Sequence, residues 1–157
     1  MGNYEIRLAR IEDVERIQQL SQELIEYEVK NSDKPYLYNL DWALSQDGYD
    51  NYKANVEHDW IYVVCIEGII VGYMTCWINR RRPWDKYKIM EVGNLYIQKE
   101  YRGQGIGTEL INKAKDLCKQ KNIDYLKIGV FEHNKQAQEF YEKNGLYKYE
   151  ISQYLKI

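Results

Sequence analysis

Apolar and polar positions alternate along Tyr4-Glu5-Ile6-Arg7-Leu8, which predicts a short opening strand. A helical stripe follows through Ile11, Val14, Ile17, Leu20, Leu24 and Ile25, with Glu12 and Asp13 in its first turn. Residues 31–59 are rich in Tyr, Asn and Asp and weakly periodic, so a loop carrying one irregular helix is expected there. Two β-rich runs, 60–66 and 69–78, flank Glu67-Gly68 as an antiparallel hairpin. Arg80-Arg81-Arg82-Pro83-Trp84-Asp85 breaks any strand and predicts a turn or loop; a solvated turn is the favoured reading, ahead of an attractor for acidic partners. A third run, 88–97, completes the antiparallel stretch. The period then changes. Residues 105–121 place Ile106, Leu110, Ile111, Ala114, Leu117 and Cys118 on one helical face. A strand over 124–131, a helix over 134–143 ended by Asn144-Gly145, and a final strand over 147–155 follow. The expected fold class is α/β: an antiparallel N-terminal meander followed by a β-α-β-α-β half, in one mixed sheet with helices on its faces.

No repeat or Pro/Gly-rich linker divides the 157 residues, so one domain over 1–157 is expected. The apolar runs fall far short of the ~20 residues that span a bilayer, and the first residues lack the basic-then-apolar layout of a signal peptide. Both point to a cytoplasmic protein without a membrane partner. A formal charge of −2 argues against a nucleic-acid partner. Cys65, Cys76 and Cys118 are widely spaced and only His58 and His133 could assist them, so no metal is expected and the thiols read as reduced and buried. Sixteen Tyr and four Trp against two Phe suit a half-wet cleft and a core rim equally.

The chemistry concentrates where the third strand runs into Arg102-Gly103-Gln104-Gly105-Ile106-Gly107-Thr108 and a helix begins. Amides of a first helical turn have no intrahelical partners and the helix dipole adds partial positive charge. Glycines let that backbone approach a phosphate, and Arg102 adds a fixed cation. Spacing disfavours two phosphate ligands: a dinucleotide turn needs GxGxxG, and a P-loop needs Lys after its last glycine. A plain sharp turn with a helix cap is the competing explanation.

This turn resembles the Gln/Arg-x-x-Gly-x-Gly/Ala motif of the GCN5-related N-acetyltransferases. Residues 134–146, beginning Asn134-Lys135-Gln136-Ala137 and containing Phe140-Tyr141 and Gly145-Leu146, resemble that family's Asn-x-x-Ala-x-x-Phe-Tyr-x-x-x-Gly-Phe segment, with Leu146 in place of Phe. The motifs cover 88–146 and specify the cofactor better than the acceptor. The resemblance implies an acetyl-CoA-dependent N-acetyltransferase acting on a primary amine of a small molecule or peptide by direct attack in a ternary complex. It implies that the pyrophosphate sits on 102–108 and that Leu95 donates its N–H to the thioester oxygen. Tyr96 and Ile97 would then pair with the pantetheine arm. Tyr141 is implied as general acid, and Asn134 as an N-cap, a pantetheine ligand or both. A base is needed because an alkyl ammonium has a pKa of ~10. Glu91 is the candidate, at the position of the catalytic glutamate in histone-acetylating members, weighed equally against an exposed carboxylate. His133 reads as a local cap and is left out, and Cys118 on an apolar stripe argues against an acyl-cysteine route. An acceptor region between 20–60 and 77–94, with the acids Glu26, Glu28, Asp41, Asp47 and Glu91, would suit a cationic amine. The alternative is a non-catalytic acyl-CoA-binding regulatory module. Homodimers are common among proteins resembling this one, and nothing in the sequence fixes that state.

Overall fold

The computed structural model describes residues 3–34, 38–79 and 84–156. Arg80, Arg81, Arg82 and Pro83, the core of the expected basic turn, lie outside the described residues. The strands are β1 (Tyr4–Leu8), β2 (Ile61–Ile66), β3 (Ile69–Ile78), β4 (Ile89–Ile97) and β5 (Tyr125–Ile128). The helices are α1 (Val14–Asn31), α2 (Gln46–Glu57), α3 (Ile106–Gln120) and α4 (Lys135–Lys143). The strands form one five-stranded sheet in sequence order. Each neighbouring pair among its first four strands is antiparallel, while β5 runs parallel to β4. The mixed α/β class expected from the pattern is the fold observed.

Each face of the sheet has its own core. On one, Met74, Cys76, Met90 and Val92 pack against Ile106, Leu110, Ala114 and Leu117 of α3. On the other, Val63, Tyr73 and Tyr96 meet Val14, Ile17 and Leu20 of α1 and Tyr52 and Val56 of α2. All three cysteines are free and buried, and burial pushes the Cys76 thiol up to about 12, with Cys118 adding to it. No helix among the described residues is long and apolar enough to cross a membrane.

Three differences from the pattern have physical causes. First, α2 is a regular helix, capped by Ser45, whose Oγ accepts the Gly48 N–H at 3.1 Å. Its buried positions are Gly48, Tyr52 and Val56. Gly48 lies so close to the Trp42 and Ala43 carbonyls that a Cβ would overlap them, so one third of the buried face has no side chain to register as apolar. Second, β5 spans four residues rather than eight. Third, the expected strand over 147–155 does not form, and the half reads β-α-β-α. The alternation of Tyr147, Tyr149 and Ile151 is real, but no layer covers it: Tyr149 is 90% exposed. Among the described residues, the edge contacts Lys127–Glu150 at 3.8 Å and Lys148–Glu142 at 3.2 Å tie this stretch to the domain. An alternating segment becomes a strand only where a face buries its apolar half.

The join between β1 and α1 is held by a buried carboxylate. Arg7 grips Asp13 with two bonds, 2.7 and 3.1 Å, and the Arg10 N–H donates to it at 2.7 Å. Burial works to raise the Asp13 carboxyl, but these donors outweigh it and hold it below its ordinary value. A depressed carboxyl stabilises the fold at pH values above the unfolded pKa, and that contribution is lost as pH falls through the folded one. Asp13→Asn is therefore expected to cost about 2 kcal/mol at pH 7 and distinctly less near pH 3, read as urea midpoints at the two pH values.

Candidate active site

Strand β4 builds the site by a local defect. Thr75 pairs with Asn94 but Cys76 pairs with Val92, so Gly93 is an extra residue, a bulge. The Thr75 hydroxyl accepts the Asn94 N–H at 2.9 Å and pins the kink. The Trp77 ring lies over Gly93 where a Cβ would be, so any larger residue there would have to displace that ring. On the opposite edge β5 pairs only as far as Val92↔Ile128. Beyond the bulge, residues 93–97 therefore have no strand partner on that side among the described residues. These residues line a cavity of about 650 Å³ that runs between β4 and β5 and is bordered by the C-terminal part of α1, the first turn of α3 and the length of α4.

The glycine turn closes one end of this cavity. Gly103 and Gly105 adopt φ of +77° and +84°, and a Cβ at either would meet nothing within 4 Å. Only glycine holds that conformation without strain, and the space it leaves opens outward. Gly105 caps α3, whose first intrahelical bond runs from the Glu109 N–H to the Gly105 carbonyl at 3.1 Å. The amides of Ile106, Gly107 and Thr108 precede that bond and are open to an anion. At Gly107 a Cβ would meet the Phe140 ring at 3.0 Å, so the third glycine lets α4 close in on α3. Arg102 is anchored by an Nε–H bond to the Ile97 carbonyl at 2.7 Å. Its guanidinium stands 5.5 Å from both the Tyr27 and Tyr96 ring centroids. With Nε committed, its terminal nitrogens are what it can offer a ligand.

Of the residues singled out in the sequence, Leu95, Tyr96, Ile97, Arg102, Gly103, Gly105, Ile106, Gly107, Thr108, Asn134 and Tyr141 all line the one cavity. Two do not. Gln104 is exposed outside it. Glu91 lies off the lining, accepting a bond from Asn79 Nδ2 at 3.0 Å with Lys127 Nζ at 3.8 Å. Asn134 is the N-cap expected: its Oδ1 accepts the Ala137 N–H at 3.1 Å. Burial, with the Glu28 charge adding to it, pushes the Tyr141 phenol up to about 12.

Glu28 itself takes a central place that sequence reasoning missed, having counted it only as one of five acids. Although 5% exposed, it lines the cavity. His133 donates through Nε2 to its Oε2 at 2.7 Å, and Asn134 Nδ2 donates to its Oε1 at 2.9 Å. A signal for it existed: Glu28 lies four residues beyond Leu24, continuing the apolar stripe through Ile17 and Leu20. A carboxylate on a buried stripe must be paired, and a paired buried charge marks a site. A second cavity of about 400 Å³, bordered by Trp42, Tyr52, Asn55, Thr75 and Trp77, adjoins the first at Asn94.

A mixed sheet that parts beyond a bulge, with a glycine-cradled helix N-terminus at one end of the gap and a buried phenol within it, offers a seat for an extended ligand that carries an anionic group. The acetyltransferase (GNAT) family profile matches residues 17–146, and the chain belongs to that family. It is similar to an uncharacterized N-acetyltransferase of Methanocaldococcus jannaschii, 30% identical over 76% of this chain; the match spans about half, 51%, of that relative. A thialysine N-epsilon-acetyltransferase of Bos taurus is 30% identical over 89% of this chain and 82% of its own length. Among solved structures, an aminoglycoside N-acetyltransferase in complex with CoA superposes with a TM-score of 0.71 at 14% identity, covering 100% of this chain and 96% of that one.

Proposed function

We propose that residues 1–157 form one acetyltransferase domain that moves the acetyl group of acetyl-CoA to the primary amine of a small molecule, by direct attack within a ternary complex. The observation that carries this is the sharing of one cavity by the outward-opening glycine cradle, the unpaired β4 edge and Tyr141. The cradle fits a diphosphate: its amides are open, and its two left-handed glycines leave nothing in the way. Acetyl-CoA, when bound, supplies an activated acyl carbon. Amides 106–108 and Arg102 hold the diphosphate. The free edge at Tyr96 and Ile97 takes the pantetheine arm as if it were a strand, and the Leu95 N–H donates to the thioester oxygen, a donor aimed where negative charge develops. Tyr141 protonates the departing sulfur. The acceptor enters from the second cavity, where Trp42 and Trp77 offer aromatic faces to a cationic amine. Names of relatives favour a small amine such as thialysine or an aminoglycoside. Buried thiols suit a cytoplasmic setting.

Binding tests the cradle directly. Coenzyme A at a hundredfold excess over its Kd is expected to stabilise the protein by about 2.7 kcal/mol, seen as a rise in melting temperature. ATP and NAD should give no such rise. Thiol release from acetyl-CoA with thialysine, an aminoglycoside and a peptide N-terminus then tests transfer. Tight CoA binding without turnover on any amine would replace this function with a regulatory acyl-CoA-binding module.

A further inference from the structure

An arginine holds a diphosphate best when its guanidinium is already in place, because a free arginine side chain gives up rotamer freedom on binding. Arg102 is restrained by three contacts. Its Nε–H donates to the Ile97 carbonyl at 2.7 Å. Its Cζ lies over the ring of Tyr96 on β4 and over that of Tyr27 on α1, 5.5 Å from each centroid. Both distances are inside the ~6 Å reach of a cation–π contact. All three side chains border the cavity.

The two rings are themselves held. The Tyr96 hydroxyl donates to Glu23 Oε2 at 3.1 Å, and Gln98 Nε2 donates to both oxygens of the same carboxylate at 3.2 and 3.1 Å. Arg16 Nη1 stands 3.8 Å from Glu23 Oε1. Glu23 thus fastens α1 to the end of β4. Tyr27 lies one turn beyond Glu23 on the same helix face, so the fastening also holds Tyr27 against Arg102. Neither ring neutralises the guanidinium. Burial, with the Glu23 charge and hydrogen bond adding to it, pushes the Tyr96 phenol up to about 12, so a neutral ring faces the cation. Among the described residues no carboxylate forms an ion pair with Arg102. A cation that is ordered but not neutralised is suited to an anionic ligand.

We infer that Tyr27 is a positioning residue for the diphosphate: with Tyr96, which Glu23 anchors, its ring holds Arg102 so that the terminal guanidinium nitrogens meet the phosphate oxygens with their direction already set. This rests on the acetyl-CoA reading proposed above and adds the side chains that decide how tightly the diphosphate is held. Tyr27 and Glu23 lie outside the glycine turn. They come from α1, so the grip on the diphosphate is assembled from both sides of the cavity.

The test is a double-mutant cycle on ligand affinity, read by calorimetry with CoA and with pantetheine, which lacks the diphosphate. Arg102→Gln is expected to weaken CoA about thirtyfold, the loss of charge-assisted bonds to phosphate. Tyr27→Leu should weaken CoA about tenfold and reduce the advantage of CoA over pantetheine by the same factor. Tyr27→Phe keeps the ring and should bind CoA within about twofold of wild type. Tyr96→Phe, a milder change that keeps its ring but frees it from Glu23, should weaken CoA about threefold. Once Arg102 is Gln, adding Tyr27→Leu or Tyr96→Phe should weaken CoA by less than about twofold more, because both act through the guanidinium. Losses that multiply in the double variants would mean that the rings act independently of Arg102. Equal weakening of CoA and pantetheine by Tyr27→Leu would mean that the ring only shapes the cavity, and a Tyr27→Phe as weak as Tyr27→Leu would move the effect to the hydroxyl. Each of these results overturns the inference. Wild-type CoA affinity in Arg102→Gln overturns it too, while leaving the backbone cradle in place. Failure of the wild type to bind CoA at all overturns the cradle, and the role of Tyr27 with it.

Discussion

Tyr141→Phe is expected to lower kcat about 100-fold, equivalent to about 2.7 kcal/mol of transition-state stabilisation, with KM for acetyl-CoA within a factor of two. The reasoning starts from the ring. Tyr141 stands on α4 in the wall of the cavity, packed 5.3 Å from the neighbouring Phe140 ring centroid to centroid. Phenylalanine keeps that packing and removes one hydroxyl, so the loss falls on chemistry rather than on the fold. Burial, with Glu28 adding to it, pushes the phenol up to about 12. A raised pKa keeps the proton on the acid: the protonated form persists below the unfolded value of ~10 and is given up only as pH climbs through the folded one. An acid that stays loaded at every ordinary pH suits a leaving thiolate, which needs its proton only at the moment the carbon–sulfur bond breaks. The kcat of wild type should accordingly show no decline between pH 8 and 10 from loss of this proton. Steady-state kinetics of the two proteins, with matched melting curves, check both statements. An unchanged kcat in Tyr141→Phe would mean that the sulfur takes its proton from water.

How much of this was visible in the sequence depends on whether a feature lives in local chemistry or in long-range contact. The glycine turn was legible because it is self-contained: left-handed backbone at Gly103 and Gly105, followed by an amphipathic helix, is written in consecutive residues. The hairpin at Glu67-Gly68 was legible for the same reason, both residues having positive φ. The stripes of α1 and α3 were read through periodicity, and their buried sides match it closely, except that Ile11 falls in a short 3₁₀ turn before α1 and is 41% exposed. Features that depend on distant partners escaped. The bulge at Gly93 is covered by Trp77, on another strand, whose ring lies where a side chain would be. The bridge from Glu28 to His133 joins residues 105 apart in the chain. His133 looked like a local cap because its partner could not be seen. The final strand failed in the opposite sense, with good alternation and no covering layer. For Glu91, position along the strand suggested a catalytic place, but the bulge two residues later divides β4, and the part that borders the cavity begins beyond Glu91.

That division puts the greatest weight on the cradle, and Gly105→Val is the change expected to damage it most. At φ of +84° the left-handed conformation is strained for any side chain, at about 1–3 kcal/mol, and most of all for a β-branched one. The strain is only half of the effect. Nothing lies within 4 Å of a Cβ at Gly105, so the new side chain would extend into the space in front of the α3 amides. Those amides would keep their partial positive charge but lose the approach of the diphosphate. CoA affinity should fall at least 100-fold, about 2.7 kcal/mol or more, while the melting temperature drops by several degrees. The two effects separate with Gly68→Val. Gly68 has φ of +81° and equally open surroundings, but it sits in the β2–β3 turn, away from the cavity. Backbone strain should lower its stability much as in Gly105→Val, with CoA affinity retained. Calorimetric titration of both variants, each below its melting temperature, decides the matter. Equal CoA affinities in the two would mean that the helix N-terminus does not seat the diphosphate.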